Sequence, residues 1–331
     1  MKEKFEYSVA IRTVGKAGEK YLQELRSLHQ QTVKPKHIFV HLAHGFDRPK
    51  EQVGMEEYID TPRGLVHQRA ASCEKVDTEY LLILDDDIYF PEDGVEKLYE
   101  KMKASQADCI APDTFHNHHT PWKRRVIDFF AHGQYGRKND GWAIKIGRNG
   151  TFSYNLNPDQ GAVLPTMSAP GTACLVKTQA FRDIHYEDEQ WIDQFPAGTF
   201  GEDQVMFHKM HLNGYQVVMA YDTGILHLDA GTNNIKEKSY SKLMYRAMSL
   251  YLTWHRCCYQ LKGKSIGGKM LDDIAYITRF VNGLSTRLCY SLFLCSPKFF
   301  TAYLVGHWKA KRMIHQKEYK NLPNIIISKK K

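Results

Sequence analysis

Three groups of side chains in this 331-residue chain could carry chemistry. Asp85, Asp86 and Asp87 directly follow an uninterrupted apolar run from Tyr80 to Leu84. Carboxylates so close repel one another and favour protonation unless a cation or hydrogen-bond donors compensate, and their hard oxygens suit Mg2+ or Mn2+, which can in turn hold a diphosphate. A solvated Asp-rich turn is the plainer alternative. Glu202 and Asp203 open a helical pattern that ends at Gly214. Acidic residues there complement the helix dipole and cap free N–H groups, while an aspartate within reach of a hydroxyl can act as a general base. His227 closes a short strand pattern and could offer a neutral imidazole to a metal or serve packing alone.

The surrounding pattern supplies the scaffold. Tyr7 to Ile11 reads as a strand; Tyr21, Leu22, Leu25 and Leu28 recur at helical spacing; His37 to Leu42 reads as a second strand. The unit repeats, with Val66, Ala70 and Cys73 on a helix, Tyr80 to Leu84 as a strand apolar on both faces, and Pro91 opening a helix whose Val95, Leu98 and Met102 share a face. Such strands between helices imply an α/β fold with a mostly parallel, Rossmann-like sheet covered on both sides, whose ligands bind beyond the C-terminal strand ends. Residues 115–165 carry turn signals and one or two hairpins; strands return at Ala173 to Val176, Gln216 to Ala220 and Gly224 to Leu228.

Charge divides the chain. Residues 1–231 hold 26 Lys and Arg against 33 Asp and Glu, net −7, and residues 232–331 hold 19 against 4, net +15. We therefore expect a first domain over 1–231 and a basic, aromatic-rich helical region over 232–331. The latter composition suits an anionic membrane surface, or helices packed on the core with their charges solvated. Seven scattered cysteines without a C-x-x-C pair indicate a reducing compartment. No signal-peptide pattern opens the chain, and the longest apolar stretch, Leu288 to Trp308, is interrupted at Ser296-Pro297-Lys298. The expected location is cytoplasmic, with peripheral attachment to the inner face of the cell membrane open.

The order of these features resembles the family-2 glycosyltransferases of the GT-A fold. The resemblance rests on Tyr7 to Thr13, Ser27 to Thr32, Arg63 to Arg69 and Tyr80 to Asp87, continued by Pro170 to Val176, Phe200-Gly201-Glu202-Asp203, Asn213-Gly214-Tyr215 and Leu226-His227, and covers about residues 5–230. It implies an inverting, metal-dependent transfer from a nucleotide sugar (UDP, dTDP or GDP type) to an acceptor hydroxyl, in bacterial surface polysaccharide or glycoconjugate synthesis, on a glycan or lipid-linked acceptor. Asp85 and Asp87 match the ends of the DXD motif: Asp87 on Mn2+ or Mg2+, Asp85 toward the nucleotide ribose and the metal, with Asp86 between them. Asp203 matches the base, with Glu202 as its alternate, and His227 the strand-end metal ligand. Arg12, Thr13, Val14 and Gly15 match the turn against the nucleotide base; Arg63 and Arg69 match the segment before the metal motif, where either could bind phosphate.

Rival classes fit less well. An aspartyl phosphohydrolase would place its acidic pair after the first strand, and a pyrophosphorylase would need a Gly-rich loop where Arg12 to Gly15 stands. A basic nucleic-acid- or membrane-binding protein with an inactive GT-A-like domain is the alternative; nucleic acid is not expected as a partner. His116, His118 and His119 lack zinc spacing and read as loop, His208 and His211 as surface residues, and Cys257-Cys258 as packing.

Overall fold

The computed structural model describes residues 5–114, 141–155, 158–229 and 239–327. The histidines at 116, 118 and 119 and the expected boundary at 231/232 lie outside them. In chain order come β1 (Tyr7–Thr13), α1 (Glu19–His29), β2 (Ile38–Ala43), β3 (Glu56–Thr61), α2 (Leu65–Ala70), β4 (Tyr80–Leu84), β5 (Ile88–Tyr89), α3 (Gly94–Ala104) and β6 (Cys109–Pro112). Then follow β7 (Ile144–Ile146), β8 (Phe152–Tyr154), β9 (Val163–Pro165), β10 (Ala173–Lys177), α4 (Thr178–Asp183), a 3-10 helix (Tyr186–Gln194), α5 (Glu202–Leu212), β11 (Val217–Ala220) and β12 (Leu226–His227). The C-terminal region is α6 (Tyr240–Trp254), a π-turn (His255–Tyr259), α7 (Ile266–Phe293), α8 (Lys298–Met313) and α9 (Lys317–Lys320).

Eight strands form one sheet in the order β3-β2-β1-β4-β10-β6-β11-β9, with β10 and β9 antiparallel to their neighbours and the rest parallel. This is the expected α/β, mostly parallel, Rossmann-like arrangement with a helical C-terminal region. Alternation along β1 and β4 sorts the core into two layers. Val9, Ile11, Leu82 and Leu84 pack with α1 and α3; Ala10, Leu81 and Ile83 point the other way, into a cluster shared with α5 and with Leu252, Trp254 and Ala302 of the C-terminal helices. Those helices therefore cover one face of the sheet, which explains why its central strands read as continuous apolar runs.

One buried ion pair fastens this cover. Arg256, on the π-turn, meets Glu189 of the 3-10 helix through its Nη2 at 2.7 Å and its Nε at 3.1 Å, both side chains being fully buried; Lys209 approaches Glu189 at 3.2 Å. Removing one partner of such a pair leaves an uncompensated buried charge. We expect Arg256→Met to lower unfolding free energy by about 3–5 kcal/mol, read as an earlier denaturation midpoint; an unchanged midpoint would show the pair contributes nothing.

Two histidines depart from expectation. His208 is buried, its Nε2 donating to the Cys257 carbonyl at 3.3 Å, and burial pulls its pKa down to about 3; His211 sits edge-on to Trp142 at 5.8 Å. The helix that carries them is covered by the π-turn on a side the sequence pattern did not mark as inward.

Candidate active site

Strand register builds the first half of the site. The β1–β4 ladder ends at Ile11 opposite Leu84, so Arg12 and Thr13 run on beside Asp85 and Asp86 just past it. Arg12 Nε donates to Asp85 at 2.5 Å, and the Thr13 hydroxyl donates to Asp86 while accepting the Gly15 N–H at 2.8 Å. Gly15 has φ +71°, and a Cβ there would lie 2.3 Å from the Asp47 carbonyl oxygen, so the turn requires glycine. The Asp85 N–H donates to the Thr172 carbonyl at 2.9 Å, tying the acidic run to the segment before β10. Burial, with the charges of Asp85 and Asp87, pushes Asp86 up to about 6.

A four-charge cluster lies beside this edge. Arg12 Nη1 reaches Glu202 at 2.7 Å, and the fully buried Arg69 approaches Glu202 at 3.4 Å and Asp85 at 3.6 Å while donating to the Gly171 carbonyl at 2.9 Å. Burial alone would raise the Glu202 pKa, but the two guanidiniums outweigh it and hold Glu202 at about 2. Arg12 and Arg69 are both paired with the carboxylates of Asp85 and Glu202. Glu202, the alternate base, has its carboxylate engaged by both guanidiniums. Arg63 is exposed, 5.4 Å above the Phe46 ring, and Val14 is exposed in the turn; neither joins the cluster.

The support for Arg69 was invisible in the sequence. Asp193 accepts the N–H groups of Val66 and His67, each at 2.9 Å, and pairs with His67 Nδ1 at 2.7 Å, closing the N-terminus of α2 from 126 residues away. Gln68, one residue before Arg69, donates to the carbonyls of Thr13 at 2.9 Å and His41 at 2.8 Å, locking the ends of β1 and β2 together.

Asp203 is half-buried at the start of α5. Its Oδ2 accepts the Gly171 N–H at 3.0 Å and its Oδ1 accepts the Gln204 N–H at 2.8 Å. Gly171 packs so closely that a Cβ would sit 2.4 Å from the Asp203 Cβ and 2.6 Å from an Arg69 nitrogen. Burial and the neighbouring Glu202 charge push the Asp203 pKa up to about 6, against the pull of Arg69 and the two N–H donors. Two adjacent carboxyl groups are thus pushed in opposite directions, the pattern that separates a base from a fixed anion.

The last pair is brought together by β5 and β12. Their antiparallel pairing sets His227 opposite Ile88, and His227 Nε2 lies 3.0 Å from Asp87 Oδ2. Asp87 is buried, and its Oδ1 has no hydrogen-bond partner among the described residues. An orphaned buried carboxylate oxygen beside an imidazole fits a divalent cation. No group of three metal-ligating side chains occurs among the described residues, so further ligands would come from substrate oxygens or water.

Residues 56–160 match the model of a family described as glycosyl transferase family 2. No curated protein matches the chain. Among solved structures, GalNAc-T7 with UDP, GalNAc and Mn2+ is 13% identical with a TM-score of 0.49, covering 88% of this chain and 58% of its own, so this chain spans little more than half its length. A mannosyltransferase from Pyrobaculum calidifontis in complex with GDP-Man and Mn2+ is 11% identical with a TM-score of 0.48, covering 95% of this chain and 87% of its own. The stretch of the chain similar to that family contains Arg69 and the acidic run at the end of β4.

Proposed function

We propose that the protein transfers a sugar, with inversion, from a nucleotide-sugar donor of UDP, dTDP or GDP type to an acceptor hydroxyl. The observation that carries this reading is the placement of Asp203, held by the Gly171 and Gln204 N–H groups, beside the Arg12-paired Glu202 and the acidic strand end, with Glu202 pulled down and Asp203 pushed up. Asp203 takes the acceptor proton as the acceptor oxygen bonds to the anomeric carbon; the bond from that carbon to the phosphate oxygen breaks, and its electron pair leaves with the nucleoside diphosphate. One base and one displacement invert the anomeric centre. Asp87 and His227 would hold Mn2+ or Mg2+, which supplies neutralisation of charge on the departing diphosphate when bound. Arg12 and Arg69 fix Asp85 and Glu202 in ion pairs, and burial together with the Glu202 charge raises the proton affinity of Asp203.

The family resemblance supports a glycan or lipid-linked acceptor in bacterial surface polysaccharide or glycoconjugate synthesis, and the basic C-terminal region supports peripheral attachment to an anionic membrane. The test is turnover of a nucleotide-sugar panel with Mn2+, with the product anomer read by NMR. A product that retains the donor's anomeric configuration would overturn the single displacement. A pH profile adds a second check. Because Asp203 must be deprotonated to act and its pKa is raised, kcat should rise with pH through about 6 and flatten above it. A flat profile between about pH 5 and 8 would remove Asp203 from the role.

A further inference from the structure

Helix α7 is amphipathic in the inverted sense. Its buried positions are Asp272, Tyr276, Arg279, Gly283 and Ser291, and they are satisfied inside the protein: Asp272 pairs with Arg148 at 3.1 Å and with Lys264, Arg279 donates to the Asn149 carbonyl at 2.7 Å, and the Tyr276 hydroxyl meets His307 at 2.9 Å. Outward stand Met270, Ile274, Ile277, Val281, Leu288 and Leu292 at spacings of three, four and seven, a single stripe some six turns long. Ile277 is 59% exposed and Phe293, at the tip, 83%. Between Met270 and Pro297 no exposed residue is charged. A helix face bathed in water should be polar, so this stripe needs a partner.

Charge identifies which one. Residues 260–327 expose seven Lys or Arg side chains, Lys298, Lys309, Lys311 and Arg312 among them, against one exposed acid, Glu318. Trp308, exposed on α8 beside α7, carries Arg312 stacked 4.7 Å above its ring. A second copy of the chain would bring the same cations to the contact and be repelled, whereas an anionic bilayer complements them and takes apolar and aromatic side chains at headgroup depth. No helix among the described residues is long and apolar enough to cross a membrane.

We infer that the outward face of α7 is the membrane-docking surface of the enzyme and lies flat in the headgroup region of a bilayer rich in anionic lipid. The inner face of α7 clamps the β7–β8 hairpin through Arg148 and Asn149, and that hairpin ends at the exposed Tyr154, close enough to Asp203 to feel its charge. The docked helix is thus joined to the base by one short hairpin, which suits an acceptor presented by a lipid. This last step rests on the glycosyl-transfer reading; the docking does not.

The experiment is vesicle flotation of the full chain with neutral phosphatidylcholine or with phosphatidylcholine and phosphatidylglycerol mixed, with Mn2+-dependent nucleotide binding measured on the same preparations. Wild type should float with the anionic vesicles only, less so as salt rises. The double variant Ile277→Glu with Val281→Glu should lose about tenfold or more in partitioning while melting at the wild-type temperature, and Lys309→Glu with Lys311→Glu should lose about tenfold through charge alone. Wild type that stays unbound to both vesicle types, variants that float unchanged, or a wild-type dimer in sedimentation that Ile277→Glu dissociates would each overturn the docking. Vesicle binding without nucleotide binding would instead sink the glycosyl-transfer reading and leave the docking standing.

Discussion

Asp203→Asn should cut the transfer rate by about 10²–10⁴-fold, about 3–5 kcal/mol of transition-state stabilisation, with donor affinity unchanged. Asparagine keeps the size of the side chain and one acceptor oxygen, so it can still receive either the Gly171 or the Gln204 N–H, though not both. What it loses is the capacity to take a proton. Some instability follows from the N–H left facing an amide, and donor calorimetry on the variant separates that from the chemical loss. Glu202→Gln is the contrast. It strips one anion from between Arg12 and Arg69, so the protein should melt earlier, and the rise of kcat should persist but move to lower pH, since that limb belongs to Asp203 and the Glu202 charge helps to raise it. If Asp203→Asn retained activity within about threefold and Glu202→Gln abolished the pH limb, the assignment of the base would be reversed.

The parts of this arrangement that could be read from the sequence are those set by local pattern. The central strands β1 and β4 are buried on both faces and therefore apolar at every position, and the residues just beyond them are where a parallel sheet gathers ligands. The edge strand β3 was not legible. Its Glu56, Glu57 and Asp60 are tolerable because only one side of the strand is paired, and those charges erase the alternation by which a half-buried strand is recognised.

Long-range partnership escaped altogether. Arg12 and Arg69 stand in the right segments to meet a nucleotide, yet their partner Glu202 is 190 residues from Arg12, and only the fold shows that two guanidiniums are spent on it. The same holds for α7. Its apolar stripe stands in the sequence at helical spacing, and spacing alone predicts that this face turns inward. The opposite face is buried because Asp272, Tyr276 and Arg279 each find a partner on the hairpin or on neighbouring helices, contacts that no periodicity encodes.

Asp87→Ala should abolish Mn2+-dependent nucleotide binding while leaving the sheet intact. Asp87 sits beyond the last β4 residue, its carbonyl accepting the Leu228 N–H at 2.9 Å, a main-chain bond that alanine preserves. Its side chain has one oxygen on His227 and one with no described partner, in a buried place where an unsatisfied carboxylate oxygen is costly unless a cation or donor arrives. Removing it takes away the hard oxygen ligand and leaves His227 as the single remaining protein ligand of the pair, too little to hold a hard cation against water. His227→Ala leaves the carboxylate and should weaken binding by a smaller factor, about tenfold. The order of the two effects is the diagnostic. Calorimetry of nucleoside diphosphate with and without Mn2+ should show binding that requires the metal in wild type, a weakened version in His227→Ala and none in Asp87→Ala. Unchanged metal-dependent binding in Asp87→Ala would move the cation elsewhere, with Asp85 the next carboxylate to examine; but Arg12 already holds Asp85 at 2.5 Å, so a metal there would have to displace a paired, half-buried guanidinium.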